Sequence, residues 1–364
     1  MPSIPQKAQT EDSTSFDPDV FFGSWAKGDL TPPYDNDFRK FIIRAFGLQL
    51  NDTYGYRATA EVTLLQAQTY VEFGRQGTLH KWYVDEIGEQ RPPPPAVDIA
   101  AYTDIFRPTT STANAIKGLL SNAKKGSIRA DVAKHIQSLY QPLAADRKII
   151  VSKSKTHVNP YFDLLAWFNQ NLEWAGPEAN TVKIKHSHPT LPVLFHHFGC
   201  VCPSYESLEI IRQVAKGRSI IDLGSGNGYW TYMLRRLRNG KDKMEVIPID
   251  NGISEWRTVW IGDTLEMDGV KWLNGNEGGK GKVLLLVYPQ VGLEFTTKMI
   301  EGYKGTTIII AGSQNGNGFT AFASELIVDW FAREKPEWEK VCQVPLPSFA
   351  GKDEALFVFE KHGA

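Results

Sequence analysis

The stretch IIDLGSGNGYW, residues 220–230, constrains the fold more than any other part of the sequence. An apolar run typical of a buried strand meets three glycines at alternating positions, and an aromatic run typical of a helix start follows. Glycine allows positive φ and a close approach of the backbone to a ligand, and a helix N-terminus offers free N–H donors. The stretch therefore predicts a binding turn for a nucleotide-like cofactor between a strand and a helix.

The sequence around this turn alternates short β-branched runs with helical patterns from about residue 204 onward. Strands are predicted at 218–224, 244–250, 282–288 and 306–312, with helices at 229–237, 293–301 and 319–334. This alternation is typical of βαβ units around a parallel sheet. The C-terminal tail carries two further strand patterns without a helix between them, so we expect these strands to pair as a hairpin.

The N-terminal half is mainly helical in its pattern. Apolar residues recur at helical spacing in 35–48, 129–142 and 158–174, and Asn159 followed by Pro160 suits the start of the third helix. A chain of 364 residues is long enough for more than one region. We predict a disordered polar tail over 1–20, a mainly helical region over 21–199 and a Rossmann-like α/β domain over 200–364. The helical region is expected to cover the crevice in which the α/β domain binds its cofactor, and to select the substrate.

The glycine spacing distinguishes two kinds of nucleotide-binding turn. The dinucleotide fingerprint G-x-G-x-x-G would need glycine at position 229, where this chain has Tyr229. An acid two residues before Gly224, with glycine again at 226 and 228, instead resembles motif I of the class I S-adenosylmethionine-dependent methyltransferases. The resemblance covers about residues 200–363. It implies a Rossmann-like sheet with a reversed terminal strand and S-adenosylmethionine as the cofactor.

The resemblance also implies a set of cofactor-binding residues. Asp250, which follows Asp222 by 250 − 222 = 28 residues, stands where an acid in this family binds the ribose, although NAD-binding proteins use an acid in the same place. Asp263 stands where the family commonly has an acid near the adenine amino group. The remaining members hold the methionine part of the cofactor: Asp222, Gly224, Ser225, Gly226 and Gly228.

The stretch LLLVYPQV, residues 284–291, supplies the predicted catalytic residues. Amino-group methyltransferases end their fourth strand in Asn/Asp/Ser-Pro-Pro-aromatic, and the resemblance aligns Tyr288 and Pro289 with the first two places. Gln290 and Val291 depart from the last two, so the target is a nitrogen or an oxygen nucleophile. Little-characterised bacterial and fungal methyltransferase-like proteins, which resemble this stretch, carry Trp-Pro-Pro here. The alternative is a strand-terminating turn that contacts no substrate.

Two further polar segments have competing interpretations. Residues 313–317 follow the predicted strand at 306–312 and either line the acceptor pocket or form a plain loop. The segment 186–204 holds four of the eight histidines and two of the three cysteines. A zinc site would use His186, His188, Cys200 and Cys202, but Cys-x-Cys is not the usual spacing, so we predict no metal. The resemblance implies instead that residues 198–204 form an apolar lip beside the cofactor, with plain core packing as the alternative. His196 and His197 are candidate bases for the acceptor proton.

Composition limits the kinds of partner and the cellular compartment that we expect. A formal net charge of −1 does not favour nucleic acid as a partner, and the apolar runs are too short to span a membrane. Three cysteines and no recognisable signal or transit peptide favour a cytoplasmic address, with the nucleus as the alternative. We therefore expect methyl transfer to an unidentified acceptor. The rival functions are a catalytically silent interaction protein and an NAD-dependent oxidoreductase.

Overall fold

The computed structural model describes residues 16–48, 52–56, 59–79, 81–143, 147, 149–186, 188, 190–239, 242–252, 256–291, 294–316, 320–322 and 324–363. The helices are α1 (Pro18–Lys27), α2 (Phe38–Phe46), α3 (Leu64–Arg75), α4 (Ala96–Thr103), α5 (Thr112–Ser121), α6 (Ile128–Leu139), α7 (Pro160–Asn171), α8 (Thr190–Phe198), α9 (Tyr205–Ala215), α10 (Tyr229–Arg236), α11 (Gly269–Gly275), α12 (Phe295–Gly302) and α13 (Ile327–Glu334). The strands are β1 (Thr53–Tyr56), β2 (Thr59–Thr63), β3 (Ile220–Leu223), β4 (Arg238–Asn239), β5 (Asp242–Lys243), β6 (Val246–Asp250), β7 (Leu265–Glu266), β8 (Val283–Val287), β9 (Thr307–Ser313), β10 (Trp338–Pro345) and β11 (Glu354–Lys361).

A seven-stranded sheet organises the C-terminal half, with the spatial order β10-β11-β9-β8-β3-β6-β7 across the described residues. The neighbours from β7 to β9 pair in parallel, and β11 runs antiparallel to both β9 and β10. Counted along the chain, the five parallel strands stand in the order 3-2-1-4-5, which is that of a doubly wound Rossmann-like sheet. The order reverses between β3 and β8, and ligands of such folds bind at that crevice.

The sheet separates two hydrophobic cores. The smaller core lies on the face covered by α11, α12 and α13, whose Trp272, Met299 and Phe331 are buried in it. The larger core lies on the opposite face and includes residues of α7 to α10 together with those of the N-terminal helices. Alternation along a strand decides which face a side chain meets, so Ile309 of β9 enters the larger core and Ile310 the smaller one.

The N-terminal half packs directly onto the larger core's face of the sheet. Gln141 and Gln343 exchange both backbone hydrogen bonds at 2.7 Å, which attaches the segment after α6 to strand β10. The Trp174 indole donates to the Ser348 carbonyl at 3.1 Å from the segment after α7. The sheet thus covers the apolar faces of the N-terminal helices. An amphipathic helix is stable only when its apolar face is covered in this way.

The predicted strands of the sheet and the C-terminal hairpin are confirmed. The predicted start of α7 is also confirmed, since the Asn159 side chain accepts from the Phe162 amide at 3.2 Å. Two boundaries were wrong. Helix α1 begins at Pro18, inside the predicted tail, because Asp17 caps it by accepting from the amides of residues 19 and 20. Helix α13 begins only at Ile327, because Ala321 has a left-handed φ of 70° and is bonded to Pro289.

None of the helices described in these ranges combines the length and the apolar character that crossing a bilayer requires. Residues 1–15 of the predicted tail lie outside the described residues.

Candidate functional site

The glycine turn, residues 224–228, connects β3 to α10 at the point where the strand order reverses. Its three glycines have φ angles of 78°, 58° and 80°, a region that side chains other than glycine rarely adopt. The amides of Gly224 and Ser225 both donate to the Ile249 carbonyl, at 2.7 and 3.1 Å. These two bonds hold the turn against β6, so its backbone conformation is fixed before any ligand arrives.

Two side chains from the segment after β6 fill the space that the glycines leave. A Cβ on Gly226 would lie 2.8 Å from Trp256 Cζ2, and a Cβ on Gly228 would lie 2.2 Å from Ile261 Cγ1. No side chain is accommodated at such distances without movement. Gly226 and Gly228 are therefore required by close approach as well as by backbone conformation, and the Trp256 indole lies directly against the turn.

Asp222 is the penultimate residue of strand β3, and its carboxyl group is fully buried beneath the turn. One of its oxygens accepts from the Thr231 hydroxyl at 2.5 Å, and the other has no hydrogen-bond partner among the described residues. Burial raises the pKa of Asp222 to about 7, because a charged carboxylate loses its hydration there. A buried oxygen without a partner costs free energy that a hydrogen-bond donor from a ligand would recover.

Further buried polar atoms at the turn also lack partners within the described ranges. They are the Ser225 hydroxyl, the Asn227 amide nitrogen and the Trp256 indole nitrogen. Native proteins leave few such atoms unpaired, and functional sites are among the places where they occur. The cluster combines donors and acceptors around a backbone cradle, which fits a polar ligand better than an apolar one.

The Asp250 carboxylate contacts the turn from the end of strand β6. One carboxylate oxygen accepts from the Gly226 amide and the second from the Gly252 amide, each at 2.9 Å. A carboxylate offers about four lone-pair sites, so these two bonds leave acceptor capacity for the hydroxyls of a ligand. The structure thus brings Asp222, the glycine turn and Asp250 together, as the sequence predicted.

Asp263 does not belong to this group, and its predicted contact with adenine needs correction. Both of its oxygens pair with the Arg235 guanidinium, at 2.8 and 2.9 Å. Arg235 lies in the last turn of α10 and also donates to the carbonyl of Val246, at the start of β6. The start of a parallel strand is the end of the sheet opposite the crevice. The ion pair therefore holds Asp263 away from the turn, and it lowers the pKa of this half-exposed carboxyl.

Tyr288 and Pro289 follow β8, on the other side of the reversal point from the turn. Tyr288 has a left-handed φ of 49°, an uncommon conformation for a bulky residue. Its hydroxyl makes no hydrogen bond to the described residues, and burial raises its pKa. The Pro289 carbonyl accepts from the Ala321 amide at 2.8 Å, so the group that holds an amine in the resembling family is already engaged here.

The loop after β9 is held by its own polar groups. The Ser313 hydroxyl donates to the Asn315 carbonyl at 2.9 Å, and the Gln314 amide donates to Asp353 at 2.6 Å. Asn317, the last residue of the predicted acceptor loop, lies outside the described residues. The predicted role of this loop in the acceptor pocket stays a prediction.

The histidine-rich segment is partly helical, and the predicted lip over 198–204 begins at the last residue of this helix. Residues 190–198 form α8, and Pro192 is tolerated because the amides of a helix's first turn have no partner within the helix. His197 bonds Tyr54 at 3.0 Å and Thr258 at 2.7 Å through its two ring nitrogens, and burial lowers its pKa well below the usual value. His197 is therefore a structural residue and does not serve as the predicted base.

The alternative zinc ligands are not grouped. His186 packs on the Trp82 ring at a centroid distance of 4.8 Å, and His188 accepts from the Thr190 amide at 3.1 Å. Cys202 is buried, and its thiol donates to the Pro203 carbonyl at 3.6 Å. No three His, Cys, Asp or Glu side chains come together as metal ligands in the part of the chain that the structure describes.

Sequence reasoning missed two residues of the crevice region. Trp256 belongs to an irregular segment, and nothing in its local pattern indicates a contact with a glycine 30 residues earlier (256 − 226 = 30). Glu354 begins β11 and is buried with 7% of its surface exposed. A carboxylate directly before the apolar run of residues 355–359 was the available signal, because charged residues are rarely buried without a reason.

No family model matches the chain, and no curated protein matches its sequence. Among solved structures, the 16S rRNA methylase ArmA is 16% identical over 55% of this chain and 97% of its own, with a TM-score of 0.27. CalO1, a methyltransferase in calicheamicin biosynthesis in its SAH-bound form, is 12% identical over 73% and 93%, with a TM-score of 0.29. A type I restriction-modification methyltransferase subunit from Streptococcus thermophilus is 9% identical over 97% and 81%, with a TM-score of 0.34. Similarity this weak carries no functional argument, which rests on the geometry above.

Proposed function

We propose that the protein binds S-adenosylmethionine and transfers its methyl group to a nitrogen or oxygen nucleophile. The observation that supports this most is the glycine turn at the reversal point of the sheet. Its backbone surrounds one polar crevice together with three buried groups that have no hydrogen-bond partner among the described residues: one Asp222 oxygen, the Ser225 hydroxyl and the Asn227 amide nitrogen. A cofactor with ammonium, carboxylate and ribose groups offers the donors and acceptors that these atoms lack.

The roles of the residues follow from their positions. Asp222 and the turn hold the methionine part of the cofactor, and Asp250 accepts from the ribose hydroxyls. Bound S-adenosylmethionine supplies an activated methyl group, so the chain itself mainly orients the acceptor and excludes water. Tyr288 faces the acceptor from the neighbouring strand end. Asp263 is given no part in binding, because its ion pair with Arg235 holds it away from the turn.

The rival function is a methyltransferase-like fold without activity. The contact between Trp256 and Gly226 favours it, because an indole against the turn occupies space beside the proposed cofactor site. An NAD-dependent oxidoreductase is disfavoured by Tyr229 in place of a third fingerprint glycine. Calorimetric titration with S-adenosylmethionine, S-adenosylhomocysteine and NAD separates these functions. Binding of NAD alone, or of no nucleotide, would refute the proposal.

Asp250→Ala is expected to weaken the binding of S-adenosylhomocysteine about ten- to a hundredfold, because a hydrogen bond to a charged group contributes roughly 1.5–3 kcal/mol. Asp263→Ala is the matched control: it removes a carboxylate that the Arg235 ion pair holds outside the crevice. Titration calorimetry of both variants measures the effect. Equal affinities of Asp250→Ala and the wild type would show that Asp250 does not bind the ligand. A loss of affinity in Asp263→Ala would show that Asp263 does.

Tyr288→Phe is expected to leave the affinity for S-adenosylhomocysteine unchanged and to lower methyl transfer about five- to a hundredfold. The substitution removes only a hydroxyl that bonds no described residue, so the described part of the fold loses no hydrogen bond. A hydrogen bond formed to the acceptor in the transition state contributes about 1–3 kcal/mol. Calorimetry measures the first quantity, and transfer of labelled methyl groups to a cell extract measures the second. A folded variant that no longer binds S-adenosylhomocysteine would place Tyr288 in the cofactor pocket.

A further inference from the structure

Glu354 lies at the crevice edge of the sheet because β11 is reversed. The parallel strands β3, β6, β8 and β9 end at this edge, whereas β11 begins there. In the register of β11 with β9, Glu354 stands opposite Ser313, the last residue of β9. The first residue of the reversed strand therefore reaches the place where binding residues of such folds gather.

Glu354 and Tyr288 lie on the same face of the sheet. Leu356 and Val358 of β11 enter the larger core, so by alternation Glu354 points to that face as well. Simple alternation along β8 would send Tyr288 to the opposite face with Leu286, yet Tyr288 packs against the larger core. Its positive φ of 49° accounts for this change of direction. The unusual backbone conformation thus turns the tyrosine ring toward the side that holds Glu354.

Glu354 is buried beside the larger core, near groups from four separate segments of the chain. Burial raises its pKa to about 8, and Ser348 and Lys352 oppose that rise. Asp353 beside it adds to the rise. Four surrounding groups have pKa values raised first by burial and further by the charge of Glu354: Tyr102 of α4, Tyr161 of α7, Cys202 before α9 and Tyr288 after β8. The carboxyl group therefore lies between the N-terminal helices and the end of β8.

We propose that Glu354 is the general base for a hydroxyl acceptor bound beside Tyr288. This inference rests on the proposed function. The acceptor oxygen forms a bond to the methyl carbon, and the carbon–sulfur bond breaks with its electron pair going to sulfur, which leaves S-adenosylhomocysteine. The acceptor's hydroxyl proton moves to the Glu354 carboxylate. Atoms and charge balance without a further reactant.

The chemistry of the site favours a hydroxyl over an amine. An amine attacks through its own lone pair and can lose its proton afterwards, whereas a neutral hydroxyl gains strongly from a base during the transfer. The carbonyl that would hold an amine, that of Pro289, already accepts from Ala321, which leaves it one free lone pair. The acceptor class is therefore a neutral phenol or alcohol, and its proton is taken by a carboxylate whose pKa lies near the working pH.

The test uses the full chain with methyl-labelled S-adenosylmethionine and five small acceptors over pH 6–9. Phenol, catechol and benzyl alcohol carry hydroxyl groups, and aniline and benzylamine carry amines. We expect label on hydroxyl compounds only, at a rate that rises with pH and levels off above about pH 8, where Glu354 is ionised. Glu354→Gln should lower that rate at least a hundredfold without changing the affinity for S-adenosylhomocysteine.

Two control variants accompany this experiment. Glu339→Gln removes an exposed carboxylate from the neighbouring strand β10 and should leave the rate unchanged. Glu354→Asp keeps a carboxylate at the site and should retain the pH dependence at a lower rate, which guards against a glutamine variant that fails to fold. Each outcome decides the inference. Labelled amines, hydroxyl labelling that Glu354→Gln does not reduce, or no labelled acceptor in a protein that binds S-adenosylhomocysteine would overturn it. Failure to bind S-adenosylhomocysteine would instead defeat the proposed function.

Discussion

Glu354→Gln is expected to be more stable than the wild type at pH 8 and equally stable at pH 5. The ordinary pKa of 4.5 is raised to about 8 in the folded state, so the folded protein holds a proton that the unfolded chain releases between these values. The resulting stabilisation is complete below about pH 4.5 and is lost as the pH rises toward 8. Glutamine does not titrate, so the variant escapes this loss, which is on the order of 3 kcal/mol.

Urea unfolding of both proteins at pH 5, 6.5 and 8 measures this difference. Asp222, whose pKa burial also raises, is present in both proteins, so its contribution cancels in the comparison. Glu339→Gln, on an exposed carboxylate, should follow the wild type at every pH. Parallel stability curves for the wild type and Glu354→Gln would show that Glu354 is already ionised and hydrated in the folded protein.

Gly228→Ala is expected to lower the free energy of unfolding by about 2–5 kcal/mol. The φ of 80° costs a side chain roughly 1–2 kcal/mol, and the new methyl group would lie 2.2 Å from Ile261 Cγ1, which adds the cost of overpacking. Gly217→Ala is the matched control, because Gly217 has the same φ of 80° and nothing within 4 Å of its Cβ position. The difference between the two variants, measured by urea unfolding, isolates the contact with Ile261. An equal loss of unfolding free energy in both variants would mean that the segment around Ile261 moves aside at no energetic cost.

The features that the sequence predicted well are those that neighbouring residues determine. Strand β3, the glycine turn and helix α10 occupy one continuous stretch, and the conformations of its glycines are required by that stretch itself. Asn159 and Pro160 likewise define a helix start within two positions. Asp250 was predictable because a strand end has a fixed place at the crevice edge of a parallel sheet.

The features that the sequence did not predict depend on distant contacts. Asp263 pairs with Arg235, 28 residues away, and no local pattern indicates which of two opposite ends of the sheet the pair occupies. No helix was predicted over residues 190–198, yet they form α8, and the proline in its first turn loses no hydrogen bond. The direction of Tyr288 depends on one backbone angle of 49°. Burial of Glu354 depends on the N-terminal helices, more than 180 residues before it (354 − 161 = 193 for Tyr161).

The joining of Gln141 to Gln343 has a consequence for how the chain folds during synthesis. Trp174 reaches Ser348 across 174 positions, and His135 reaches Asp353 across 218, at 2.8 Å. Contacts so far apart in sequence close large loops, which makes folding slow and leaves apolar surface exposed in the meantime. The N-terminal helices emerge from the ribosome first, but the strands that cover them, β10 and β11, are made last. The N-terminal half therefore stays incompletely packed until residue 361 has been added. Its apolar surface is exposed during that interval, when binding by chaperones protects it most.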